Sequence, residues 1–276
     1  MNAMTDSIVD KIESFCSEDS LWDSNLTWNT ASPDLTLCFQ KTVLPWVPCT
    51  FILIFSPLRL YLLPNERTKQ QHSTLSLAKY ILCSGLLFLS FLECIEKVYM
   101  NSLDDAVRQP EFMSFILTAI TLIMANHVMW TERQQKIRSS GFLLTFWFLM
   151  FVSFCLTLQS RVRSLLKQDD MNVDTRFCFL SIQTLLSIAQ LTLTALFVDN
   201  FPEDDQKYKK PSSENSTFLS ILSFSWFTSI VREAYRRTLK AEDMIELTDD
   251  ITSESAVPIF QKAWRDEVNI TKRSVC

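Results

Sequence analysis

The chain has 276 residues, 47% of them hydrophobic, with 21 Phe and 7 Trp against 2 Gly and a formal net charge of −5. The two glycines, Gly85 and Gly141, are too few and too far apart for a phosphate-cradling G-x-x-x-x-G-K loop or a dinucleotide fingerprint, both of which need backbone approaches that only glycine permits. Scattered basic residues and a negative balance argue against a nucleic-acid face, and eight cysteines without a C-x-x-C, beside only His72 and His127 in different segments, argue against a zinc cluster.

Residues 1–35 are acidic, with Asp6, Asp10, Glu13, Glu18, Asp19, Asp23 and Asp34, and lack the continuous apolar core of a signal peptide. Uncharged stretches follow. About 20 apolar residues at 1.5 Å each match a ~30 Å hydrocarbon core. Five segments meet that measure: 42–58 continuing to 63, 80–92 extended at its start by Leu75 and Leu77, then 112–131, 139–160 and 177–198. The reading is an all-α membrane protein, a bundle of five transmembrane helices whose first span acts as an uncleaved anchor. Pro45, Pro48 and Pro57 are expected to bend that span.

Lys and Arg in the loops set the orientation. Arg59, Arg67 and Lys69, then Arg133, Lys136 and Arg138, then Lys207, Lys209 and Lys210 fall on one side. Lys11, Lys41, Lys97 and Arg108 fall on the other, joined by Arg161, Arg163, Lys167 and Arg176, which weaken the bias. The acidic amino terminus favours an outside start and a cytosolic carboxyl end. In that orientation Cys16 and Cys38, the two cysteines before the first span, share an oxidising compartment where a pair can close, constraining the unfolded tail by about 3 kcal/mol. Asn25-Leu26-Thr27 is a glycosylation sequon on the same side.

Polar residues inside the spans are few. Asn126 and His127 lie near the cytosolic end of the third, Gln183 and Gln190 share a face of the fifth, and Glu93, Glu96 and Lys97 lie at the outer end of the second. Interhelical hydrogen bonds worth ~0.6 to 2 kcal/mol account for them without catalysis. No nucleophile and base are marked for one cavity.

After residue 198 the chain turns polar and Ser-rich, a flexible connector. From Phe218 to Lys240 apolar residues return, interleaved with Arg232, Arg236, Arg237 and Lys240. Residues 217–231 are uncharged but too short for a span, and read as an amphipathic helix in the membrane interface or against another domain. Asp249, Asp250 and Thr252 offer caps for a further helix containing Val257, Ile259, Phe260 and Trp264.

Several stretches in order carry a family likeness: Phe15-Cys16-Ser17, Leu21-Trp22-Asp23, Thr27-Trp28-Asn29-Thr30, Cys38-Phe39-Gln40, Trp46-Val47-Pro48-Cys49, Ser139-Ser140-Gly141, Leu144-Thr145-Phe146-Trp147, and Phe218-Leu219-Ser220 with Trp226-Phe227, Tyr235-Arg236 and Thr252-Ser253-Glu254. The chain resembles, to about residue 268, the amino-terminal part of the multidrug resistance-associated proteins, ATP-binding cassette exporters of subfamily C with an extra five-span domain. The resemblance implies an outside tail (1–35), a five-span domain (36–198), a cytosolic linker (199–268) and a divergent end (269–276). It implies that the linker contacts membrane and transporter core through Phe218, Trp226, Phe227, Arg232, Tyr235 and Arg236, with organic anions near the basic residues.

The expected function is the amino-terminal portion of an exporter of organic anions and conjugates, with a role in trafficking, assembly or regulation. ATP and magnesium are expected only in downstream domains, because no P-loop is present here. Partners are membrane lipids and the transporter core. The alternative is a channel-regulatory module like that of sulfonylurea receptors. The expected location is the plasma membrane, with endosomal or vacuolar membrane as alternatives.

Overall fold

The computed structural model describes residues 21–30, 33–62, 74–101, 109–135, 137, 139–167, 175–197 and 216–239, with 257–258, 260–265 and 267–268. Every regular element among them is helical. In chain order these are α1 (Ser24–Thr27), α2 (Leu37–Lys41), α3 (Val43–Leu62), α4 (Thr74–Asn101), α5 (Gln109–Gln134), α6 (Gly141–Lys167), α7 (Thr175–Leu196), α8 (Phe218–Leu222) and α9 (Thr228–Arg236). The described part of 257–268 is helical as well.

Five helical segments are long and apolar enough to cross a membrane: Leu37–Leu62, Thr74–Glu96, Met113–Gln134, Gly141–Leu166 and Thr175–Leu196. Only 22–33% of an apolar 18-residue stretch within each is buried against the rest of the protein. The remaining apolar surface has no counterpart inside the molecule. Water would not tolerate so much of it, whereas lipid would, so the bundle is a membrane domain.

The chain divides into two compact units. The first takes the described residues through Phe197 together with Thr217–Leu219; the second takes Ser216 and those from Ser220 onward. Within the first unit α3 packs on α5 and α6, α4 packs on α5 and α7, and α6 packs on α7. Each helix thus has two principal neighbours, and the five close into a ring in the order α3, α5, α4, α7, α6.

The ring is filled by Ile52 of α3, Cys83 and Leu86 of α4, Leu122, Ala125, Val128 and Met129 of α5, and Leu143, Phe146, Trp147 and Met150 of α6. Leu186 and Leu191 of α7 pack against this cluster. Phe146 and Trp147 meet edge-to-face with centroids 5.0 Å apart, and Phe51 stacks on Phe142 at 5.3 Å. With lipid outside, such close packing and interhelical hydrogen bonds, rather than escape from water, hold the helices together.

The helices run past the charges at which a sequence reading ends them. α5 continues through Glu132 and Arg133 to Gln134, Arg59 lies inside α3, and α6 carries Arg161 and Arg163 and reaches Lys167. A helix need not stop at a charge that finds a partner on a neighbour. Pro48 and Pro57 lie inside α3, which is continuous across both. Pro45 falls in its first turn, where an amide N–H has no intrahelical acceptor to lose.

The two glycines differ. A Cβ on Gly85 would meet Leu186 Cδ1 at an ordinary 3.7 Å, but one on Gly141 would collide with the Phe218 ring. Gly85→Ala is therefore expected to be neutral or to stabilise by up to about 1 kcal/mol through helix propensity. Gly141→Ala should instead displace Phe218. Thermal unfolding of the first variant, and protease sensitivity around residue 218 in the second, check the contrast.

Candidate functional site

At one end of the ring, the ends of α3, α5 and α7 meet the starts of α4 and α6. Glu132 is the centre of this cluster, with a side chain only 4% exposed. Its Oε1 accepts from Arg59 Nε at 3.0 Å and from Ser140 Oγ at 2.8 Å. Ser140 also accepts from Leu143 N at 3.3 Å, so one hydroxyl caps α6 and ties it to α5. Beside this triangle opens a cavity lined by Ser76, Lys79, Tyr80, Arg133, Ser139 and Thr194, with Met129 and Leu143 as its apolar wall.

The opposite end holds the amino-terminal segment. Gln40 Nε2 donates to Leu35 O and to Ser160 Oγ, both at 2.7 Å, and Arg163 donates to Pro33 O. Thr36 caps α2 and donates its hydroxyl to Leu21 O at 2.7 Å, while Trp22 and Phe39 meet edge-to-face at 5.5 Å. The amino-terminal segment is therefore tied to the last turns of α6 through Pro33 and Gln40, and Leu21 and Trp22 are held in turn by Thr36 and Phe39. Gln40→Ala with Ser160→Ala should cost roughly 1–2 kcal/mol and raise amide exchange across residues 21–42, as expected for lost buried hydrogen bonds.

Between the two ends, Gln183 Nε2 donates to Glu93 Oε2 at 3.1 Å and Gln190 Nε2 approaches Met129 Sδ at 3.7 Å. The shared face of α7 thus ties it to α4 and α5. Asn126 is half-buried and His127 exposed. Among the described residues no three His, Cys, Asp or Glu side chains assemble into a metal-sized group.

The individual residues singled out by sequence are distributed as follows. Cys38 is buried and disulfide-bonded, and its partner is none of the free cysteines Cys49, Cys83, Cys94, Cys155 and Cys178. Cys16 lies outside the described residues. Asn25 is exposed on α1, its backbone N–H capped by Asp23 and its Oδ1 accepting from Asn29. Phe218 opens α8 and places its ring over Gly141 within the first unit.

Trp226, Phe227, Arg232, Tyr235 and Arg236 belong to the second unit. Trp226 and Phe227 sit edge-to-face at 5.7 Å in a 3-10 turn, Ser225–Phe227. Phe224 before it adopts a left-handed φ of 56°, which costs a side chain with a Cβ about 1–2 kcal/mol. Along α9, Ile230, Val231 and Ala234 recur at helical spacing opposite Arg232, Glu233 and Arg236, and Arg237 donates to Glu233 at 2.7 Å. Tyr235 is 93% exposed. Of the six linker residues, Phe218 packs over Gly141 within the first unit, and the other five lie along the amphipathic segment of the second.

Sequence reading missed Arg59, Glu132 and Ser140, and also Gln40 and Ser160. One signal was available: Ser140 directly before Gly141 and a long apolar run is a helix-start pattern. Nothing local marks Gln40 as the partner of a serine 120 positions away.

Comparison with known proteins adds a lineage to this geometry. Residues 13–168 match the family described as the ABC transporter TMD0 domain. The chain is 31% identical over 256 residues to human ATP-binding cassette sub-family C member 3, covering 91% of this chain and 17% of that protein. It is 28% identical over 265 residues to human sub-family C member 2, covering 96% of this chain and 17% of the relative. Rat sub-family C member 3 is 30% identical over 254 residues, covering 89% and 16%. The chain thus spans about one sixth of the length of these relatives.

Proposed function

Because the chain belongs to the ABC transporter TMD0 domain family, we propose that it serves as the accessory membrane domain and linker of an organic-anion exporter of the multidrug resistance-associated type, promoting that exporter's delivery and assembly. The observation that carries this reading is the ring itself: five apolar helices close around their own core and turn their remaining surface to lipid, while residues 13–168 match the family. Such a domain folds and anchors without chemistry of its own. ATP and magnesium are assigned to the rest of the transporter, as are the transported conjugates.

The amino terminus is assigned to the outside and the carboxyl end to the cytosol, in the plasma membrane. In that frame Cys16 is the partner of Cys38, and Asn25 carries a glycan. The exposed position of Asn25 and the bonded state of Cys38 support both assignments. The 228–236 helix lies in the cytosolic interface with Ile230, Val231 and Ala234 toward lipid and Arg232 and Arg236 toward headgroups.

Co-expression with a subfamily C core lacking its own amino-terminal domain tests the reading. Surface delivery, or ATP-dependent vesicle uptake of a labelled glutathione conjugate, should rise when this chain is supplied. The chain alone should transport nothing. Uptake by the chain alone, or capture of a channel subunit with no rescue of the core, would overturn it, the second in favour of a sulfonylurea-receptor-like role.

A further inference from the structure

Within the second unit, Phe224 adopts φ 56° and ψ 17°, a left-handed conformation that glycine accepts freely and phenylalanine does not. Its ring is 71% exposed, so burial of that ring against the protein does not offset the strain. The position accounts for the geometry. Phe224 stands two residues after the end of α8, where a left-handed residue terminates a helix and glycine or asparagine is the usual occupant. Its N–H donates to Ile221 O at 3.2 Å, the hydroxyls of Ser225 and Ser220 meet at 2.8 Å, and Phe227 N–H donates to Phe224 O at 3.1 Å, closing the turn that leads into α9.

Nothing else in the local sequence asks for a break. Residues 218–236 contain neither glycine nor proline, and 217–231 carry no charge. A continuous helix over this stretch would, at 3.6 residues per turn, put Ile221 and Leu222 on nearly the opposite side from Ile230, Val231 and Ala234. One membrane surface could then receive only one of the two faces. A left-handed residue between them changes the direction of the chain and lets each short helix turn its own apolar face. Backbone strain of this kind persists only where the surroundings hold it, and it collects at functional positions.

We propose, resting on the interfacial reading of α9 given above, that Phe224 is a strained joint holding α8 and α9 bent so that the apolar faces of both meet one anionic bilayer surface. The joint extends the contact from Ile230, Val231 and Ala234 to Ile221 and Leu222. Leu222, Phe224 and Val231 are all exposed on the protein, as residues bound for lipid must be. Arg232 and Arg236, opposite the apolar face of α9, supply the attraction to anionic headgroups.

Spin labels carried by a genetically encoded amino acid at positions 222 and 235, which spares the native cysteines, report the bend in the full chain in nanodiscs of phosphatidylcholine and phosphatidylserine. A straight helix separates these positions by about 20 Å along its axis, and the wild-type pair should lie several ångströms closer. Phe224→Gly and Phe224→Asn, which accept a left-handed backbone, should keep the short distance. Phe224→Ala, a good helix former that rejects it, should lengthen the distance toward the straight value. All three substitutions lose the ring, so the comparison isolates the backbone, and protection of the buried Cys83 thiol confirms a folded bundle in each. A single label at 222 or at 231 should be reached by oxygen and shielded from a nickel chelate in the wild type, in Phe224→Gly and in Phe224→Asn; in Phe224→Ala one of the two positions should open to the chelate. An unchanged distance in Phe224→Ala overturns the joint. Equal loss of lipid contact in all three substitutions also overturns it, making the ring itself the anchor. If the wild-type label at 231 lies in water, the interfacial reading falls and the membrane role of the joint with it; if only the label at 222 does, α9 stays interfacial and the joint alone is overturned.

Discussion

Truncation of Trp147 to alanine is expected to destabilise the bundle by about 3 kcal/mol, at the low end of the ~3–5 kcal/mol typical of large aromatic core truncations. Trp147 is fully buried in the ring, edge-to-face against Phe146 and among side chains from several helices. The low end applies because lipid, rather than water, is the alternative surrounding of a separated helix. What is lost is dispersion contact and close packing, not escape from water. The indole N–H has no acceptor among the described residues. Trp147→Phe removes that buried donor while keeping most of the ring, so it should be near neutral. The buried free thiols of Cys49 and Cys83 report the outcome, since a thiol-reactive dye reaches them only as the helices separate. Equal destabilisation by alanine and phenylalanine would mean that the indole nitrogen, not ring volume, is what the site requires.

Removing Arg59 should cost nearly as much. Arg59→Gln leaves Glu132 enclosed among α3, α5 and α6 with Ser140 but without its ion-pair partner, and an enclosed charge deprived of its partner costs about 3 kcal/mol or more in fully buried pairs. Arg59 is one-third exposed, so about 2–3 kcal/mol is expected. Glu132→Gln should be milder, because an amide oxygen still accepts from Ser140. The double variant Arg59→Gln, Glu132→Gln should recover most of the loss, giving a clear coupling in a double-mutant cycle read by the same thiol assay. Strict additivity would show that the two side chains meet without depending on one another.

These two effects sit on opposite sides of what the sequence makes legible. The five spans could be read because charge is absent over about 20 residues at a time, a constraint that lipid enforces segment by segment. The α7 glutamines could be read because Gln183 and Gln190 share a helix face. The ends could not. Glu132 looks like the first loop residue until Arg59, 73 positions earlier, is known to lie beside it. Arg163 likewise reads as loop charge until Pro33 is placed against it. The seat of the amino-terminal segment depends on Gln40 and Ser160, neutral residues of ordinary type whose significance lies in their being brought together. In the linker, the helical spacing of Ile230, Val231 and Ala234 was readable, whereas the close approach of Phe218 to Gly141 has no local mark beyond the glycine.

α6 touches the start of the linker at Gly141 and the amino-terminal segment at Ser160 and Arg163. It is a single 27-residue rod, about 40 Å long at 1.5 Å per residue. Mechanically, among the described residues, it is a strut loaded at both faces of the bundle. A pull on Phe218 bears on its first turn, and the seat of the tail rides on its last. Strain introduced on one side of the membrane therefore has a direct line to the other, through one helix and two small contacts.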